Sequence, residues 1–449
     1  MCCTSQVVFN GFLEQRYNDK DGISMKADHK RRSWSKRATS SAALAALALV
    51  LTSCGGDTAD GDTGGEAQGF EFGAPQDEVN AAIEQLEPVT VTYQIPATSE
   101  QSPQANLGTH YKEAVEERSN GQITVELAWN QSIAPYEDLH NALADGRVDM
   151  AFTLPSYEPA EFPAFTALND LLGGDPEPPV TGELVTNLAA AETAWQTPEI
   201  LAEYEQIGVT PFVPVMASAS YYSICSDEVT EPEDWDGLQV RVGSPAALDL
   251  VSHLGGSPVS IAGVEAYEAL QRGTIDCTLA VLSDAAQGGF FEVAPHLGYP
   301  TTTSFPRVAG AILTGTSVEE LPVAYQQILF DSFDAYFDGS IKANGKDQAI
   351  AQVNELGGSV VEVSPELQSE IEQFAELQRQ EVVESGILGD DIVERLQASR
   401  EKWRDRVAEL GYEEQGTLAD FDEWYDPEAD YRPLAQELFQ EVMLEHRPG

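Results

Sequence analysis

Between Gly121 and Pro306 the chain carries three cationic side chains, Arg147, Arg241 and Arg272, in a protein with 75 acidic and 24 basic residues and a formal net charge of −51. Cations this scarce invite the question of what each one holds. Arg241 stands in Gly237-Leu238-Gln239-Val240-Arg241-Val242-Gly243-Ser244-Pro245, where the apolar residues alternate as on a buried strand that stops at a Gly-Ser turn. A charge at the end of an interior strand is costly unless paired. The guanidinium group is suited to two parallel hydrogen bonds with one carboxylate. That carboxylate is either one of the protein's own acids or part of a small ligand, and the local residues leave both open. Arg147 and Arg272 sit in two equivalent helix-to-strand turns, where a solvated structural role is expected.

Other chemistry is thinly represented. The sequence has no HExxH, GxSxG, CxxC or GxGxxG. Gly339 to Lys346 departs from a phosphate loop by one extra residue and by Asp347 where Ser or Thr would hold magnesium. His110, His140, His253 and His296 lie in unrelated contexts and read as surface or structurally satisfied side chains. Nothing singles out a pair among the many carboxylates. We therefore expect no catalytic residue, no metal site and no cofactor. A secreted hydrolase of acidic character, the rival reading, needs a nucleophile–base pair or a metal constellation, and neither is found. The acidity also opposes a nucleic-acid partner, which requires cations to displace phosphate counterions, and it opposes docking of the folded part on an anionic membrane. With 42% hydrophobic and 8% aromatic residues, the chain can still bury a large core.

The elements that would position Arg241 follow from periodicity. Val89 to Tyr93 is β-branched and aromatic and predicts a strand. Asn106 to Ser119 predicts a helix closed by Asn120-Gly121. Ile123 to Trp129 is the next strand, Tyr136 to Ala144 a helix stopped at Asp145-Gly146, and Val148 to Phe152 another strand. This alternation implies βα units and a mostly parallel sheet. The last unit recurs: Ala142-Leu143-Ala144-Asp145-Gly146-Arg147-Val148-Asp149 matches Ala269-Leu270-Gln271-Arg272-Gly273-Thr274-Ile275-Asp276 as Ala-Leu-x-x-Gly-x-β-branched-Asp. Two similar α/β lobes with a cleft between them explain the pairing, and clefts between lobes are favoured ligand sites. Pro365 to Glu384 and Asp390 to Leu410 predict long amphipathic helices over the lobes, with Ile371, Phe374, Leu377, Ile392, Leu396, Trp403 and Val407 facing inward.

The beginning of the chain reads as an address. Lys26, Lys30, Arg31, Arg32, Lys36 and Arg37 precede the apolar run Ala42 to Leu51. That run is shorter than the roughly 20 residues a spanning helix needs and fits a secretory signal, with Met25 as an alternative start. Leu51-Thr52-Ser53-Cys54 resembles a bacterial lipobox, which implies lipid attachment at Cys54. Residues 1–53 hold 8 basic and 4 acidic residues, so the remainder holds 16 against 71, a net of −55. Gly55 to Pro75 reads as a flexible tether. Of the five cysteines, Cys225 and Cys277 remain in the folded body, which in an oxidising compartment suggests one disulfide.

Three stretches carry a family resemblance: Pro232-Glu233-Asp234-Trp235-Asp236-Gly237-Leu238-Gln239-Val240-Arg241-Val242, Leu254-Gly255-Gly256-Ser257-Pro258-Val259, and Glu265-Ala266-Tyr267-Glu268-Ala269-Leu270-Gln271-Arg272-Gly273-Thr274-Ile275-Asp276. Together they resemble the signature of TRAP-type extracytoplasmic solute-binding proteins, and Asn120 to Val125 and Gly146 to Ala151 are similar to its first lobe. The resemblance spans roughly residues 89 to 410. It implies a two-lobed periplasmic-binding-protein-like α/β fold with an interlobe cleft and long C-terminal bridging helices. It implies no catalysis, an organic-acid ligand and delivery to a TRAP permease driven by an ion gradient. A sensory protein reporting its ligand to a kinase is the alternative. The family's carboxylate-clamping arginine falls on Arg241. Tyr221 stands where some members have a second arginine, Ala280 where many have Asn, and Leu154, with Tyr157 close by, near an acidic position of sugar-acid binders. Gln94 is a further cleft candidate. These departures favour a monocarboxylate over a hydroxylated sugar acid. The expected organisation is leader and signal 1–53, acidic tether 54–88, first lobe 89–215, second lobe 216–310, and return segments with bridging helices 311–449. We expect a monomer, held to the outer face of the cell membrane by its lipid alone.

Overall fold

A computed structural model describes residues 69–449. The leader, its basic cluster, the apolar run and Cys54 lie outside the described residues.

The strands are β1 (Val89–Ile95), β2 (Ile123–Trp129), β3 (Met150–Thr153), β4 (Thr210–Met216), β5 (Tyr222–Cys225), β6 (Gln239–Arg241), β7 (Ser257–Val259), β8 (Cys277–Ala280), β9 (His296–Tyr299), β10 (Gly310–Thr314) and β11 (Ser359–Glu362). They form two sheets, in the orders β2-β1-β3-β10-β4 and β11-β9-β5-β8-β6-β7. β1 runs parallel to β2, with Val89 opposite Ile123, and parallel to β3. β6 is parallel to both β7 and β8. The expectation of mostly parallel sheets holds for these triplets and needs correction elsewhere. β10 runs antiparallel to β3 and β4, and β5 antiparallel to β8 and β9. The reason is topological: the chain passes between the sheets after β4 and again after β9, and each passage delivers a strand against the direction of its neighbours.

The repeated motif has a shared physical basis. Gly146 and Gly273 both adopt the left-handed conformation, at φ 70° and 64°, and each ends a helix. The aspartate three residues later then ties two strands together. Asp149 Oδ2 accepts from Thr92 N at 2.7 Å, and Asp276 Oδ2 accepts from Gln239 N at 2.8 Å. Arg147 and Arg272 pair with Asp138 and Glu268 on the surface, as a solvated role requires.

One boundary differs from expectation. The span 54–88 is not a tether throughout: Phe72 stacks on Phe439 at 4.6 Å, and the helix Gln76–Ile83 buries Val79 and Ile83. These apolar side chains pin residues that the preceding Gly/Asp-rich composition suggested were solvated. The span 311–449, expected as return segments and bridging helices, is woven into both lobes. It supplies β10 to the first sheet and β11 to the second. Its helix Lys346–Glu355 sends Ala349, Ile350 and Val353 into the core around Leu270 and Leu297.

The helix Pro365–Ser385 starts where Ser364 Oγ accepts from Leu367 N at 3.2 Å. Leu367, Ile371 and Phe374 enter the second-lobe core beside Trp235 and Phe305, and Val382 reaches the core of the first lobe. The helix therefore bridges both, although Leu377 faces solvent. The helix Ile392–Glu409 buries Leu396, Trp403 and Val407 against the helix Thr181–Trp195. Cys225 and Cys277 face each other across β5 and β8, with Cα atoms 4.1 Å apart, and are disulfide-bonded. No helix among the described residues is long and apolar enough to cross a membrane.

Candidate ligand-binding site

Parallel strands of both sheets end at a common cavity of about 470 Å³. Pro96 follows β1, Asn130 follows β2, Leu154 follows β3, Arg241 closes β6 and Ala280 closes β8, and all five line it. Ligands collect at such carboxyl ends because strands stop there and loops diverge. Tyr136, Phe152 and Tyr157 form one wall, with the Tyr136 ring meeting those of Phe152 and Tyr157 edge-on at 6.3 and 6.2 Å. Tyr221, Tyr267 and Phe290 contribute from the other lobe.

Arg241 is 7% exposed. Its Nε donates to Ile261 O at 3.1 Å. That bond sets the plane of the guanidinium and leaves Nη1 and Nη2 for another partner. Three arginines are buried among the described residues, and the other two are neutralised: Arg307 by Glu177 and Arg400 by Asp175. No ion pair of Arg241 is found among the described residues. A fixed cation at a cavity wall, whose two Nη groups have no partner among the described residues, is a binding group for an anion.

Asp284 lies on the same cavity, in the short helix Leu282–Gln287 that follows β8. Its Oδ1 accepts from Gln104 Nε2 of the first lobe at 2.7 Å. Solvent reaches the carboxyl, yet both lobes enclose it, and this burial pushes its pKa up, while Gln104 and Arg241 pull it back. Gln287 extends the seam, accepting from Thr98 Oγ1 at 3.0 Å and Ser102 Oγ at 2.5 Å and donating to Gln104 Oε1 at 3.2 Å. The two lobes thus touch through amide and hydroxyl groups and one carboxylate, a few individual hydrogen bonds whose modest net strength permits separation. Burial also raises the pKa values of Tyr136 and Tyr221, so both remain neutral phenols.

Of the residues expected in the cleft, Arg241, Tyr157, Tyr221, Leu154 and Ala280 line the cavity together. Gln94 does not, and the expectation is corrected. Its Nε2 donates to Ala134 O at 2.9 Å, and its Oε1 accepts from Ile133 N and Ala134 N at 2.9 and 3.1 Å. The amide is occupied in shaping the loop after β2. Asp284, Gln104, Tyr136 and Tyr267 were not singled out from the sequence. Tyr267 lies within the Glu265-to-Asp276 stretch and Asp284 just past β8, but one acid among many carries no local mark. Among the described residues no group of three or more His, Cys, Asp or Glu could hold a metal ion.

Residues 96–385 match the DctP family, described as bacterial extracellular solute-binding protein, family 7. Since the match covers well over half of the chain, the protein belongs to this family. A solute-binding protein of Roseobacter denitrificans, RD1_1052, is 29% identical over 191 residues, 42% of this chain and 55% of that protein. The ectoine-binding periplasmic protein TeaA of Halomonas elongata is 30% identical over 122 residues, 26% of this chain and 35% of that protein. The alignments thus span about half or less of the length of these two relatives. A solved marine-metagenome TRAP solute-binding protein from an unidentified microbe, specific for aromatic acid ligands and in complex with 3-hydroxybenzoate, superposes with a TM-score of 0.62 at 17% identity. The superposition covers 71% of this chain and 99% of that one, a likeness of fold.

Proposed function

We propose that this protein captures a small organic acid in the cleft between its lobes and delivers it to a TRAP permease. The observation that carries the reading is Arg241, a buried guanidinium at a cavity wall with Nη1 and Nη2 unpaired among the described residues. The solute's carboxylate accepts from both nitrogens, and Tyr157 and Tyr221 flank its body. Leu154 and Ala280 offer no hydrogen bond from their side chains, which favours a compact monocarboxylate over a polyhydroxylated acid. The protein performs no chemistry on its solute: its role is binding and hand-over. It works as a monomer, lipid-anchored through Cys54 on the outer face of the membrane, and the disulfide Cys225–Cys277 suits that oxidising setting. The family and the ligand types named for similar proteins, ectoine and 3-hydroxybenzoate, support this reading.

The test is capture. Protein purified under native conditions and exposed to a metabolite extract is analysed by native mass spectrometry. The expected result is one stoichiometric small molecule containing a carboxylate. Capture of a solute without a carboxylate would remove the basis for the role of Arg241.

A further inference from the structure

The cavity holds a fixed anion as well as a fixed cation. Arg241 leaves two donors open, and Asp284 uses Oδ1 to accept from Gln104 at 2.7 Å while Oδ2 accepts no hydrogen bond from any described residue. The two groups sense each other's charge yet form no ion pair. We infer that the cleft selects a zwitterionic solute, whose carboxylate binds Arg241 and whose cationic nitrogen binds Asp284. This rests on the carboxylate reading of Arg241 and narrows it.

The electrostatics carry the inference. A simple anion would neutralise Arg241 but bring a second negative charge close to Asp284 in an enclosed space, where charges interact more strongly than in water. It would also bring no donor to Asp284 Oδ2, so it would forgo a hydrogen bond to a charged group that a cationic nitrogen makes. A zwitterion places opposite charges against both groups and adds no net charge to a chain of −51. The aromatic lining supports the same assignment. Tyr136, Tyr157, Tyr267 and Phe290 line the cavity, and ring faces attract a cationic nitrogen as well as packing against its carbon skeleton. Gln104, itself bonded to Gln287, fixes one oxygen of the Asp284 carboxylate, and Asp284 lines the cavity.

Matched probe pairs that differ in the charged nitrogen test this directly. L-proline is compared with cyclopentanecarboxylate, pipecolate with cyclohexanecarboxylate, and 3-(aminomethyl)benzoate with 3-ethylbenzoate, by calorimetry on the full folded protein. The wild type is expected to bind the zwitterion of at least one pair roughly tenfold to a hundredfold more tightly than its carbocyclic or alkyl partner, the worth of one charged hydrogen bond. Asp284→Asn keeps an oxygen for Gln104 and should erase that preference, with an unchanged melting curve. Arg241→Ala should lose both members of the pair. Wild-type binding confined to the anions, or no binding of any zwitterion, overturns the inference, as does a preference that survives in Asp284→Asn. If those results occur while Arg241→Ala still abolishes binding, the carboxylate reading stands and the zwitterion alone is wrong. Undiminished zwitterion binding by Arg241→Ala overturns both.

Discussion

Beneath the cleft, one buried ion pair ties together segments that run between the lobes, and its removal should be expensive. Glu183 is 2% and Lys346 3% exposed, and Lys346 Nζ lies 2.7 Å from Glu183 Oε1. Glu183 also accepts from Ser220 N at 2.8 Å, Ser220 Oγ at 3.1 Å and Asn344 Nδ2 at 2.5 Å. Burial, the largest single influence, lowers the Lys346 pKa, but Glu183 with Tyr222 and Glu177 raises it, and the balance lies above the ordinary lysine range. Stability from this pair is therefore complete at neutral pH and is lost only as pH rises through that elevated value. Leaving one buried charge without its partner costs roughly 3–5 kcal/mol. Lys346→Met leaves Glu183 with three donors and should fall near the lower end, about 3 kcal/mol. Glu183→Met leaves the ammonium with Pro179 O as its remaining hydrogen-bond partner and should approach the upper end, about 5 kcal/mol. The double variant should lose less than the sum by about 2 kcal/mol, because the second change removes an already stranded charge. Urea unfolding followed by both circular dichroism and tryptophan fluorescence measures this, and coincident curves validate a single transition. Losses below about 1 kcal/mol in both single variants, or strict additivity, would refute the reasoning.

Three further outcomes are expected. The disulfide closes a loop with a sequence separation of 52, so replacing Cys225 and Cys277 with Ala should lower stability by about 2–4 kcal/mol in denaturant unfolding, and an unchanged midpoint would mean the bridge is idle. His140 is buried, with Nδ1 3.0 Å from Glu158 Oε2 and no partner for Nε2 among the described residues, and burial lowers its pKa from 6.5 to about 4, so the unfolded chain takes up a proton first as pH falls. Stability should decline by up to about 3 kcal/mol between these pH values, and His140→Gln should flatten that slope in pH-dependent melts. Small-angle scattering should show compaction when solute saturates the cleft, since a ligand shifts only an equilibrium to which it binds unequally; an unchanged radius would indicate a rigid pocket.

The legible parts of the fold were those with a strong local period. β1, β2 and the α-helix between them alternate or repeat clearly, and the bridging helices kept their bounds to within two residues because apolar positions recur three or four apart. The repeated Ala-Leu-x-x-Gly-x-β-branched-Asp was legible because it encodes a left-handed glycine and a strand-tying carboxylate in each lobe. β10 was hidden: all five of its residues are buried, so no alternation marks a face, and its antiparallel pairing is a tertiary event. The helix Gln76–Ile83 was masked by the composition upstream of it. In the site, Arg241 stood out because cations are scarce, whereas Asp284 was lost among acids and acquires meaning from Gln104 across the cleft and Arg241 within its own lobe. Gln94 failed for the opposite reason. Its strand-end position suggested the cleft, but the backbone of Ile133 and Ala134 satisfies its amide.

The central claim is that Arg241 holds the solute's carboxylate through two parallel hydrogen bonds. Calorimetry with the captured solute on wild type, Arg241→Lys and Arg241→Ala tests it most directly, with melting curves to confirm folding. An ammonium cannot reproduce the planar fork, and removing one partner of a buried charged pair typically costs on the order of 2–5 kcal/mol. The expected result is folded variants that bind poorly, Arg241→Ala worse than Arg241→Lys. Near-native affinity in both would show that Arg241 is a structural residue and that the carboxylate sits elsewhere.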